Sequence, residues 1–136
     1  MPVTPLPAPL RAFLAEVNVA SVATVGPDGA PQVTVMWFLW ADGQILVNSR
    51  AGRVKTRNLA RDPRVALAVV DHRDPYRSLH LQGQVARTAT GASAREDIDR
   101  LSRRYTGRPF HADEPRVSYW IALTRWAQWG LLAAGG

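Results

Sequence analysis

The residues with the clearest chemical potential form one run, Asn48-Ser49-Arg50-Ala51-Gly52-Arg53-Val54-Lys55-Thr56-Arg57-Asn58-Leu59. It passes from the end of an apolar, β-branched segment into a helix-forming one, so Arg50, Arg53 and Lys55 gather at a predicted helix start. Cations there have the wrong sign for the helix dipole, which disfavours each by about 0.3–1 kcal/mol. The arrangement makes sense when an anion occupies the helix start, where backbone N–H groups, the Ser49 hydroxyl and the cationic side chains would converge on it. A phosphate is the natural guest. The same residues also suit a solvated basic helix face, because Arg53, Arg57 and Arg61 fall at i, i+4 spacing.

Charge supports an anionic partner. The formal net charge is +6, and the segment Arg50–Arg64 supplies most of it, with six cations against the single acid Asp62. Lys55 is the only lysine among seventeen Lys and Arg residues, conspicuous in a chain biased toward arginine. Nucleic-acid binders spread their cations over a wider face or interleave them with exposed aromatics. Here the aromatics lie in apolar strands, so no nucleic-acid partner is expected. The absence of cysteine excludes disulfides, thiolate metal sites, iron–sulfur ligation and cysteine nucleophiles. No apolar run approaches the length needed to span a bilayer, and no basic region followed by an apolar core opens the chain. The expectation is a cytoplasmic protein without membrane contact.

At 136 residues and 46% hydrophobic content the chain predicts one globular domain over residues 1–136, with 1–7 an irregular lead-in. Leu6, Leu10, Phe13, Leu14 and Val17 recur at helical spacing. Val19–Val25 reads as a strand ending in the turn Gly26-Pro27-Asp28-Gly29. A second strand, Pro31–Trp40, and a third, Gln44–Asn48, would complete an antiparallel meander. A helix over Gly52–Arg61 stops at Asp62-Pro63, and a buried strand runs Arg64–Asp71. His72–Arg77 reads as loop and Ser78–Ala89 as strand. Ser93-Ala94-Arg95-Glu96 resembles a capping box, opening a helix that Gly107 ends. One or two strands over Arg116–Thr124 and Trp126–Leu132 close the chain. The sum is a mainly β protein with a few helices, a six- to seven-stranded antiparallel barrel. On the second strand, over Gln32–Phe38, either Val33, Val35 and Trp37 point into the barrel and Thr34, Met36 and Phe38 line its other face, or the reverse; a planar aromatic ligand could lie along it, although core packing explains the same residues.

In order and spacing, Val22–Thr34, Trp37-Phe38, Val47-Asn48-Ser49, Arg53–Leu59, Asp62–Ala66 and Asp74-Pro75-Tyr76-Arg77 resemble the split-barrel flavin-binding family named after pyridoxamine 5′-phosphate oxidase. The likeness spans about Leu10 to Trp126 and is strongest to the branch that uses the deazaflavin coenzyme F420. It implies an FMN-binding-type split barrel and a homodimer with cofactor sites at the subunit interface. Phosphate contacts would fall to Ser49, Arg53 and Lys55, with Asn48, Arg50 and Arg57 nearby. The ring would lie against Thr34, Val35, Met36 and Trp37, and the opposite subunit would close the site through Tyr76, Arg77 and the Trp126 region. Where relatives often read Thr-Pro-Val-Trp, this chain reads Thr34-Val35-Met36-Trp37.

The resemblance implies an F420-dependent oxidoreductase that transfers a hydride between the deazaflavin and a small organic substrate with an activated double bond. The alternatives are an FMN-dependent oxidase or reductase of the pyridoxamine 5′-phosphate oxidase type, and a non-catalytic flavin or F420 carrier. Tyr76, His80 and His111 could each protonate a substrate, and none is singled out. Five tryptophans, Trp37, Trp40, Trp120, Trp126 and Trp129, exceed what so small a barrel readily hides, and an interface would bury the excess. Light scattering at micromolar concentration is therefore expected to give twice the chain mass of 15.0 kDa; a monomeric mass contradicts the dimer.

Overall fold

The computed structural model describes residues 5–111 and 113–133, so of the expected lead-in residues 1–4 lie outside the described residues. Helix α1, Ala8–Ala15, buries Leu10, Phe13 and Leu14 on one face. Strands β1, Ala20–Val25, and β2, Pro31–Met36, pair antiparallel from Ala20↔Met36 to Val25↔Pro31. Strands β3, Leu39–Ala41, and β4, Gln44–Arg50, form a second hairpin. Helix α2 spans Val54–Arg61, and β5 spans Arg64–Asp71. Strand β6, Asp74–Ala89, and β7, Arg116–Trp129, flank helix α3, Gly91–Thr106.

All seven strands belong to one sheet in the order β2-β1-β5-β6-β7-β4-β3, and every pairing is antiparallel. Its two edges, β2 and β3, are separated in the chain by only Trp37 and Phe38. A sheet whose opposite edges are joined by two residues must curl until those edges meet, which makes it a barrel split along that seam. Tyr105 of α3 pins the seam. Its hydroxyl accepts from the Phe38 N–H at 3.2 Å and lies against the carbonyls of Asn18 and Phe38. Its ring stacks on Trp37 at 5.3 Å between centroids. The core inside the curl is built from Phe13, Phe38, Ile45, Leu79, Leu81 and Ile121 with their neighbours.

Three local expectations are corrected. The strand expected over Pro31–Trp40 is two, and the three-stranded meander is a pair of hairpins at opposite sheet edges, because the chain turns at Trp37-Phe38 to bury Phe38. The loop expected over His72–Arg77 is a tight turn, with β6 beginning at Asp74. Asp71 accepts from the Arg73 N–H at 2.9 Å and Asp74 from the Tyr76 N–H at 3.0 Å, so the two carboxylates turn the chain within that short span. Helix α3 begins at Gly91 with Thr90 as its N-cap residue, not at Ser93, and no side chain caps it. Of the one or two closing strands expected, the chain forms one, β7, which shifts register against β6 near Gly83. Gly107 does end α3, in the left-handed region at φ 75°.

At Gly83 the sheet leaves no room for a side chain, because a Cβ there would run into the backbone carbonyl of Ala122 on β7. Backbone cannot swing aside as a side chain can. Gly83→Ala should destabilise the fold by about 1–3 kcal/mol, the scale of overpacking, read as a lower urea midpoint at unchanged slope. An unaltered midpoint would mean that β6 and β7 part freely there.

Candidate functional site

A cleft of about 490 Å³ opens beside the seam. Its floor and one wall come from β2, through Gln32, Thr34, Val35 and Met36, and from Trp37 at the seam. The facing wall is the end of β4, with Asn48, Ser49 and Arg50, and the start of α2, with Val54 and Lys55 after Arg53. Val19 just before β1, Ile98 and Leu101 of α3, Phe110, and Arg116 at the start of β7 complete it.

Buried polar contacts fix these elements. Asn58 of α2 donates to Thr24 Oγ1 at 3.0 Å, and that hydroxyl donates to Gln32 Oε1 at 3.1 Å. The chain ties α2 to β1 and β2 and aims the first turn of α2 across the cleft. There Lys55 Nζ donates to Thr34 Oγ1 at 3.0 Å. Burial, then the charges of Arg53 and Arg116, push the Lys55 ammonium below its ordinary pKa. No side chain caps α2, and its first turn holds no acid, so its positive end and the cations beside it face the cleft without compensation. The arrangement can neutralise an anion, hold a flat apolar group against β2, and offer one titratable proton at Lys55.

Nine of the twelve residues expected from the sequence meet in this cleft: Thr34, Val35, Met36, Trp37, Asn48, Ser49, Arg50, Arg53 and Lys55. On β2 the inward residues are the even ones, with Met36 buried and Thr34 half-buried, while Val33 and Val35 are exposed. Asn48 does not present a free amide to the cleft, because all its polar contacts go to its own chain. Arg57 lies outside, its guanidinium 3.5 Å from the Gly52 carbonyl. Tyr76 and Arg77 sit away from the cleft of their own chain. Arg77 pairs with Asp71 and Glu16 and packs over Phe13; Tyr76 is largely exposed. Tyr76, His80 and His111 do not line the cleft. Sequence reasoning missed Gln32, Phe110 and above all Arg116. The only signal for Arg116 is its register opposite Arg50, which needs the β4–β7 pairing to be known.

Fold and site together define a small split barrel of seven antiparallel strands with a cationic cleft at its seam. The sequence matches the pyridoxamine 5′-phosphate oxidase family over residues 6–130, and the chain belongs to that family. Among solved structures it is similar to an F420 reductase at 30% identity and a TM-score of 0.79, covering 90% of this chain and 98% of that one. A conserved hypothetical protein from Mycobacterium tuberculosis matches at 26% identity and TM-score 0.68, covering 98% and 94%. The fold also matches a putative pyridoxamine 5′-phosphate oxidase from Listeria innocua, at 20% identity and TM-score 0.67 over 88% and 94% of the two chains. No curated protein matches the sequence. Among the described residues no helix is long and apolar enough to cross a membrane, and no cluster of potential metal ligands occurs.

Because the chain has a single lysine, reductive methylation and NMR titration report Lys55 alone once the α-amino signal is assigned. Its pKa is expected below the ordinary value of 10.5 in the free protein, and to rise when pyrophosphate binds, since an anion favours the charged form. With the folded pKa depressed, the folded protein binds fewer protons than the unfolded chain between the two values. This residue's contribution to stability therefore grows as pH rises through that window. A free-protein pKa at or above 10.5 would show that Lys55 is solvated.

Proposed function

We propose that the protein is an F420-dependent oxidoreductase acting on a small organic substrate with an activated double bond. The observation that carries this reading is the cleft itself, with Arg50, Arg53 and Lys55 beside an uncapped helix start and an apolar β2 wall next to them. Similarity to an F420 reductase over nearly the whole chain supports the deazaflavin over other ring systems. The residues fit such a group: Ser49, Arg53 and Lys55 would hold the phosphate, with Arg50 beside them. Thr34, Val35, Met36 and Trp37 would flank the ring. The oligoglutamate tail of F420 carries further carboxylates, which suits a cation set larger than one phosphate requires.

When bound and reduced, F420 supplies a hydride equivalent to the substrate. The chain's own task is positioning, which fixes the reacting partners together and excludes water. Trp37, Met36 and Phe110 give the cleft apolar surface, and the described lining residues include no carboxylate, histidine or tyrosine. Protonation of the product then falls to Lys55 or to solvent.

The reading includes a homodimer and a cytoplasmic setting. Support for the dimer comes from the outer face of the sheet, where Val33 and Val35 of β2 are 64% and 65% exposed and Trp129 is 66% exposed. Next to the two valines small residues follow in register on β1 and β5, Val35↔Ser21↔Ala68 and Val33↔Ala23↔Ala66, before His80 and Gln82 on β6, so the β2 side of this face suits close apposition of a second copy. Val35 also lines the cleft, so a partner on that face would wall the site.

Equilibrium binding of F420 and FMN, followed by tryptophan quenching at two salt concentrations, tests the reading. F420 should bind more tightly, and its affinity should fall more steeply with salt. Lys55→Ala should weaken binding by about 1.5–3 kcal/mol, the scale of a charge-assisted hydrogen bond, with little loss of thermal stability. Preference for FMN would turn the reading to oxidase chemistry, and binding of neither would end it.

A further inference from the structure

We propose that Arg116 is a further anion-binding residue of the cleft, that Asn48 positions it through a buried hydrogen-bonded chain from α3, and that Glu114 competes with the ligand for it. This rests on reading the cleft as a site for a phosphoryl-bearing ligand.

Arg116 opens β7 directly opposite Arg50, so it brings a cation to the anion end of the cleft from a different wall. Its side chain is only 11% exposed, and its Nε donates to Asn48 Oδ1 at 2.9 Å. Asn48 Nδ2 donates to the Ala94 carbonyl and to Ser118 Oγ, both at 3.0 Å. The Ser118 hydroxyl in turn donates a hydrogen bond to Asp97 Oδ2 at 2.7 Å. Every role is determined. Turning the Asn48 amide over would set its NH2 against the Arg116 N–H, donor against donor, and leave its carbonyl facing the Ala94 carbonyl. The amide therefore has one orientation, and the guanidinium it holds has one plane, packed over the Phe110 ring at 4.9 Å.

With Nε engaged, the two terminal nitrogens carry no hydrogen bond among the described residues; Glu114 lies 3.5 Å from Nη1 as a loose ion pair. Burial depresses the Arg116 pKa, and Arg50 and Arg53 add to the effect against the pull of Glu114. A largely buried arginine among arginines, with one loosely held carboxylate, is under-neutralised. A planar fork fixed in this way suits two oxygens of a phosphoryl group. Glu114, 3.5 Å from Nη1, stands where it would compete with such oxygens for the same fork. A purely structural Arg116–Glu114 pair accounts for the contact but predicts a different response to mutation.

The test measures dissociation constants of F420, FMN and inorganic pyrophosphate for the full chain and for Arg116→Ala, Arg116→Lys, Asn48→Ala, the double variant Asn48→Ala/Arg116→Ala and Glu114→Gln, with a thermal melt of each ligand-free protein. Arg116→Ala should weaken binding by about 10-fold or more, the scale of one charge-assisted hydrogen bond. Arg116→Lys keeps the charge but loses the fork and the Nε donor, and should fall between the two. Asn48→Ala should weaken binding, and by less in the Arg116→Ala background, since it acts only through that residue. Glu114→Gln should tighten binding by roughly 2- to 5-fold, as expected for removing one nearby like charge. Equal affinities in the wild type and both Arg116 variants would overturn the inference, as would weakened binding in Glu114→Gln. Should Arg116→Ala fail to fold, Arg116→Lys and Glu114→Gln decide. Wild-type binding of FMN without F420, still sensitive to Arg116, would retire the F420 reading and leave this one standing. Binding of none of the three anions overturns both.

Discussion

The covalent link between the two edges of the sheet is the constraint on which the molecule depends. Trp37 and Phe38 join β2 to β3, and the sheet has no choice but to curl. Two residues cannot span the width of a flat seven-stranded sheet, whose neighbouring strands sit about 4.8 Å apart. The seam this creates carries backbone that no strand pairs, and Tyr105 answers it by bonding both polar groups of Phe38 from α3. The helix that plugs the seam also supplies Ile98 and Leu101 to the cleft beside it. Fold closure and site construction are thus one event, and the apolar and cationic walls face each other because the barrel closes.

The cleft then divides its work between two kinds of contact. Apolar surface from β2 and the seam is non-directional and suits a flat ring of variable substitution. The cationic end is directional, and the elements that carry it are held by buried polar bonds: Asn58, Thr24 and Gln32 hold α2, while Asn48, Ser118 and Asp97 line up behind β4 and β7. Buried polar groups are costly when unpaired and rigid when fully paired. Together the two networks hold in place the elements that carry the cations.

Much of this was legible in the sequence. The run Arg64–Asp71 alternates Val65, Leu67 and Val69 inward and is bounded by Asp-Pro and by an aspartate turn, so its limits coincide with β5. Gly107 had the one backbone conformation that a helix end favours. The cationic cluster was visible because its members, Arg50 to Lys55, are neighbours in the chain. What stayed hidden was tertiary in origin. Nothing in Trp37-Phe38 marks a break, since no glycine or proline interrupts the run and the turn exists only because Phe38 is drawn into the core. The capping signal at Ser93 was overridden, with the helix starting earlier at Gly91. Arg116, far from Arg50 in sequence, became its neighbour only through the β4–β7 ladder.

That ladder also decides when the site comes into being. The hairpins β1–β2, β3–β4 and β5–β6 are local, whereas Asn48 meets Ser118 across 70 residues, so the pairing that closes the barrel is expected late in folding, when loop entropy has been overcome. No hairpin alone contains both walls of the cleft. A ligand that requires both can recognise only the closed barrel, and its whole binding free energy then appears as protection of that state against unfolding. The lifetime of the chain among proteases would accordingly follow the supply of whatever fills the cleft.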